Sequence, residues 1–150
     1  MRAYTNYIYR ALDEVGNLSM PLQDILRTPT SRIRVGHLPL SEVDTKVLQI
    51  YLLSSLSWER LSNRYTCWTV DGNCACHYRY GSVSAPPQPM SPVLKKLSEL
   101  LGVSLGLDPA FFNSANLNVY IEGADSVGWH ADNEKLFENP QGFPDRKSVV

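Results

Sequence analysis

Arg64 to Val70 reads Arg-Tyr-Thr-Cys-Trp-Thr-Val, and so dense a run of β-branched and aromatic residues admits little but a strand. Asp71-Gly72-Asn73 is a turn signal after it, and Cys74 to Tyr80 reads as a second extended piece. Ser84 to Pro92 carries four prolines and predicts an irregular loop. Helical periodicity flanks this region. Tyr4, Tyr7, Ile8, Ala11, Leu12 and Val15 predict an amphipathic helix ending at Gly16. Pro21 and Pro29 break the following stretch into turns and extended pieces. Ser41-Glu-Val-Asp44 is a capped helix start, with Val43, Val47, Leu48, Tyr51 and Leu52 as its apolar stripe to about residue 55. Ser91-Pro92 starts another helix, with Val93, Leu94, Leu97, Leu100 and Leu101 inward and Gly102 closing it. Ala115 to Ile121 and Ser126 to Ala131 read as strands around a turn at Glu122 to Asp125. Helices come first and strands carry the later motifs. The expected class is therefore α+β, with a β-sandwich or jelly-roll core.

A chain of 150 residues, 43% hydrophobic and 19% charged, is the size of one soluble domain. A net charge of -1 provides no global attraction to nucleic acid or membrane. Nucleic-acid contact would need a local patch, for which Arg27, Arg32, Arg34, Arg60, Arg64 and Arg79 are candidates. No apolar run approaches the roughly 20 residues that span a bilayer. The charged first residues do not resemble a secretory signal. Cys67, Cys74 and Cys76 are expected as free thiols in a reducing compartment, nuclear or cytoplasmic, and the protein is expected to be a monomer.

His130-Ala-Asp132 puts an imidazole and a carboxylate on one side of an extended segment. That pair is two thirds of a facial site for non-haem Fe(II). Asn118 and Tyr120 share the same alternation one strand upstream. An amide and a phenol there can hydrogen-bond a small oxygen-rich ligand.

The run from Phe112-Asn113-Ser114 through Leu117-Asn118-x-Tyr120, Gly123-x-Asp125-Ser126-Val127-Gly128-Trp129 and His130-x-Asp132-x-Glu134 resembles the signature of the AlkB family of Fe(II)/2-oxoglutarate-dependent dioxygenases. Arg64-Tyr-Thr-Cys-Trp68 resembles the family's Arg-x-Thr-x-aromatic strand. Tyr78-Arg79-Tyr80 resembles its nucleotide lid, and Pro89 to Leu101 its short Pro-led helix. The resemblance implies a double-stranded β-helix (jelly roll) with helices packed on it. It implies that residues 1–38 are an N-terminal extension and 39–150 the N-terminal part of the dioxygenase domain.

By the same resemblance His130 and Asp132 ligate iron, and Asn118 and Tyr120 bind 2-oxoglutarate. Tyr78, Tyr80 and Glu134 meet a flipped-out base, and Trp68 adds a stacking or packing surface nearby. The implied activity is oxidative demethylation of N-alkylated bases in DNA or RNA, which requires the base to leave its stack. The family's second histidine ligand and its arginine clamp for 2-oxoglutarate have no counterpart after Asp132. The expectation is thus a chain lacking the second half of the jelly roll.

Three rival readings stand beside this one. A catalytically incomplete AlkB-like chain would act as a nucleic-acid-binding module through Arg64, Tyr78, Arg79 and Tyr80. A dioxygenase of the same chemistry would act on protein or small molecules. A zinc site would use Cys67, Cys74, Cys76 and His77, which have the right ligand types in an unusual spacing.

Overall fold

The computed structural model describes residues 2–16, 21–29, 32–61, 63–72, 76–80 and 83–128. Among them are three helices and eight strands: α1 (Arg2–Val15), β1 (Gln23–Arg27), β2 (Arg32–Val35), α2 (Glu42–Ser55), β3 (Glu59–Leu61), β4 (Arg64–Val70), β5 (Tyr78–Tyr80), β6 (Val83–Ala85), β7 (Gln88–Pro89), α3 (Pro92–Ser104) and β8 (Ser114–Val119). The class is α+β, with open antiparallel and mixed sheets. None of these helices is long and apolar enough to cross a membrane.

The helices form where the sequence places their caps. The Ser41 side chain accepts from the Asp44 backbone N–H, and Ser91 accepts from that of Leu94. Each satisfies a donor that a helix start would otherwise leave unpaired. Pro92 occupies the first turn of α3, where its missing N–H costs nothing. Ile8 and Leu12 of α1, Tyr51 of α2, and Val93, Leu97 and Leu100 of α3 bury together as one cluster. Fully burying a side chain such as Leu12 contributes about 2 kcal/mol. Tyr7 donates to Asp44 at 2.8 Å, and Lys96 pairs with Asp13 at 2.6 Å, tying α1 to both partners. Residues before 39 thus supply part of the main helical core.

β4 is the centre of the larger sheet. Along one edge it pairs antiparallel with β8 over its whole length except Arg64. Its other partners are β3, antiparallel at the Arg64 end, and β7, parallel at Thr69 and Val70. Leu61, Trp68, Val70, Tyr78 and Ala85 form a second buried cluster. The hairpins β1–β2 and β5–β6 are separate two-stranded ladders.

Several expectations need correction. Val43 is 62% exposed and no part of the inward stripe of α2. The proline-rich segment is not wholly irregular: β6 and β7 lie within it, and Met90 N–H reaches Val70 O at 2.8 Å. Gly102 does not end α3. The helix passes through it, and a Cβ there would lie 2.7 Å from the carbonyl oxygen of Asp108. Gly102 therefore permits close approach of the returning chain. The stop is at Gly106, whose φ of 71° is left-handed. Leu107 N–H bonds Gly102 O and Gly106 N–H bonds Val103 O, the paired bonds of a Schellman end. β8 runs Ser114–Val119 rather than to Ile121. Residues 126–128 carry no strand, and 129–131 lie outside the described residues.

Candidate active site

The β4–β8 register determines which side chains share a face. Thr66 opposes Asn118, Trp68 opposes Asn116, and Val70 opposes Ser114. Directly opposed residues lie on the same side of a sheet. Arg64, Thr66 and Trp68 thus share one face with Asn116 and Asn118. Tyr120 follows just beyond the strand and is 47% exposed.

Asn118 is the organising residue of this face. Its side-chain oxygen accepts from the Nε of Arg64 and from the hydroxyl of Thr66, both at 2.8 Å. Arg64 and Thr66 are both buried, so these bonds are sheltered from competing water. A bond from a charged donor contributes about 1.5–3 kcal/mol. With both donors on the oxygen, the amide cannot turn over without losing them. The Asn118 NH2 group is thereby held in one orientation as a donor.

Tyr78 occupies a different position from the one expected of it, beside Trp68 in the second buried cluster. Trp68 is 2% and Tyr78 4% exposed, with ring centroids 5.9 Å apart. The indole N–H donates to Cys76 O at 2.7 Å. Both rings belong to the second hydrophobic cluster, and neither presents a face on which a base can stack. For Trp68 this is the packing role, one of the two the resemblance leaves open. The backbone of Tyr80 pairs with Val83 in the β5–β6 hairpin. His130, Asp132 and Glu134 lie outside the described residues.

The loop leading toward those three is anchored. The Asp125 carboxylate accepts from the N–H groups of Ile121 at 2.8 Å and Glu122 at 3.1 Å. It also pairs with Arg60 of β3 at 3.0 Å, and the Arg60 guanidinium lies 5.0 Å from the Tyr65 ring centre. Ser126 N–H bonds Asn63 O. The chain is thus fixed to the β3–β4 turn four residues before His130. The Glu122 and Ile121 N–H groups, with Arg60 adding its charge, hold the Asp125 carboxyl below its ordinary value of 3.8. A carboxyl whose pKa falls on folding contributes stability that is fully present above its unfolded pKa. That contribution fades as pH drops through the lowered, folded value. Wild-type protein should therefore lose stability more steeply below about pH 4 than Asp125→Asn. Melting curves from pH 2.5 to 6 check this, and parallel curves would show that Asp125 contributes no such term.

The cysteine expectation also changes. Cys76 is disulfide-bonded, while Cys67 is a free thiol, fully buried in β4. Burial pushes the Cys67 thiol up to about 11, so it stays protonated and unreactive at neutral pH. His77 is bonded to Ser84 at 3.2 Å. Among the described residues no group of three or more His, Cys, Asp or Glu side chains gathers to hold a metal. With Cys76 oxidised, the Cys67–Cys74–Cys76–His77 zinc reading loses a thiolate ligand.

Asn116 was not singled out by sequence reasoning, and Arg64 and Thr66 entered only as a basic-patch candidate and a strand motif, not as the pair that holds Asn118. For Asn116 the one available signal was its place two residues before Asn118. No known family profile matches this chain, and no curated protein matches it.

Proposed function

We propose that this protein is an Fe(II)- and 2-oxoglutarate-dependent dioxygenase of the AlkB type, acting on N-alkylated bases in DNA or RNA. The observation that carries the reading is the held amide of Asn118. A carboxylate ligand needs N–H donors whose direction is set before it arrives. Arg64 and Thr66 set that direction here, at the position where the sequence signature expects a 2-oxoglutarate contact. The phenol of Tyr120, two residues on and solvent-accessible, supplies a second donor.

The donor set suits the implied groups. An imidazole and a carboxylate at His130 and Asp132 are the ligand types of a facial ferrous site, and neutral amide and phenol donors suit an organic acid. When bound, iron and 2-oxoglutarate use dioxygen to convert an N-methyl group to N-hydroxymethyl, giving succinate and carbon dioxide. The N-hydroxymethyl group would then lose formaldehyde, and the ring nitrogen would return to its unmethylated form. The chain's own part is to orient the cosubstrate through Asn118 and Tyr120. Its further part is to present the base, with Tyr80 and Glu134 as the residues the signature leaves for that side, since Tyr78 packs in the second buried cluster. The jelly-roll core belongs to this same reading; β4 and β8 would be two of its strands.

Titration of 2-oxoglutarate in the presence of Mn(II) tests the cosubstrate assignment. Binding should depend on the metal and should weaken about tenfold in Tyr120→Phe, the equivalent of one lost hydrogen bond to a charged group. Metal-independent binding, or none, would contradict the reading.

A further inference from the structure

Two hydroxyl residues in this chain are followed by proline, Thr28 before Pro29 and Ser91 before Pro92. Their surroundings differ. Ser91 is half-buried, and its hydroxyl oxygen already accepts from the Leu94 N–H at 3.3 Å as the cap of α3. Thr28 follows the last residue of β1 and is exposed, as are Pro29 and every residue of β1. A residue before proline is held in an extended conformation, so Thr28 offers its hydroxyl on an extended backbone at the surface.

The hairpin that carries Thr28 is also cheap to open. Among the described residues β1 and β2 pair only with each other, and a bulge interrupts their ladder between Asp24 and Leu26. Neither strand supplies a residue to the two buried clusters. An isolated two-stranded hairpin is marginally stable, so an enzyme can draw this segment into its own cleft without unfolding the body of the molecule. The charges suit a phosphate there. Residues 23–35 hold three arginines, Arg27, Arg32 and Arg34, against the single acid Asp24, a net charge of +2. The register sets Asp24 across from Arg34 but Arg27 across from Arg32. Like charges directly opposed weaken a ladder. A phosphothreonine carries about two negative charges at neutral pH. Placed next to Arg27, it would offset that pair and bring the hairpin close to neutral.

We propose that Thr28 is a phosphorylation site for a proline-directed protein kinase, and that its phosphate steadies the β1–β2 hairpin by pairing with Arg27. In the transfer, Thr28 Oγ1 bonds to the γ-phosphorus of ATP as the bond to ADP breaks, and the hydroxyl proton passes to the kinase's base. Such a site does not depend on the dioxygenase chemistry.

The full chain, incubated with ATP, Mg(II) and a proline-directed serine/threonine kinase, should take up phosphate on Thr28, mapped by mass spectrometry of its peptides. Thr28→Val should abolish this incorporation, and Pro29→Ala, which keeps the acceptor, should lower it at least about tenfold. No incorporation at Thr28, modification of Ser91 in its place, or equal incorporation in Pro29→Ala would overturn the assignment. Amide hydrogen exchange reads the effect of the phosphate. In the phosphorylated chain the amides of β1 and β2 should exchange about two- to fivefold more slowly, the worth of one exposed ion pair. Arg27→Gln should still accept phosphate but lose that slowing. Exchange that is unchanged or faster on phosphorylation, or slowing that persists in Arg27→Gln, would overturn the pairing with Arg27.

Discussion

His130→Ala and Asp132→Ala should each lower formaldehyde release from a methylated oligonucleotide by more than about a hundredfold, since loss of a metal's outer partners alone costs 10–100-fold. Both residues come from the His-x-Asp that follows the anchored Asp125 loop. On the proposed reading, removing either deletes a ligand outright rather than loosening one. The melting temperature of each variant, read without metal, separates loss of a ligand from loss of the fold. Metal content after dialysis should fall with activity. Retained activity in both variants would take them out of the metal site, whatever else the chain does.

Trp68→Ala should be the most damaging single change to the sheet side of the molecule. The residue is 2% exposed, packs on Tyr78 and donates its indole N–H to Cys76 O. Emptying a site of that size costs about 3–5 kcal/mol, and the lost hydrogen bond leaves a carbonyl to find a new partner. Trp68→Phe should recover part of the loss by refilling the space without the N–H. Urea unfolding monitored by circular dichroism measures both. If Trp68→Ala instead kept its unfolding midpoint and lost only oligonucleotide affinity, the ring would be a stacking surface. The burial seen here speaks for the core role.

Local chemistry was legible in the sequence wherever it is determined within a few residues. The run Arg64 to Val70 is a strand at the expected boundaries. Ser41 and Ser91 cap the helices they precede, and α1 runs up to Gly16. Where distant segments meet, reading failed. Gly102 looked like a helix end because glycine often is one, but its requirement comes from the chain returning at Asp108. Gln88–Pro89 looked like plain loop because prolines cannot donate to a ladder. It is nevertheless paired with Thr69 and Val70, 19 residues before it in the chain.

The site divides along the same line. Asn118 and Tyr120 were evident from their alternation. That Arg64 and Thr66 would hold the Asn118 oxygen depends on the β4–β8 register, which joins residues 52 and 54 positions apart. For Trp68 stacking and packing stay open in the sequence, because an aromatic in a strand serves core and binding face alike; only its burial separates them. Asn116 carries no local signature at all.

The most direct measurement is formaldehyde and succinate release from an N1-methyladenine oligonucleotide, with Fe(II), ascorbate and 2-oxoglutarate present together and each omitted in turn. The account predicts equimolar succinate and formaldehyde that require both iron and 2-oxoglutarate. Product formed without 2-oxoglutarate, or no product with all components present, would contradict it.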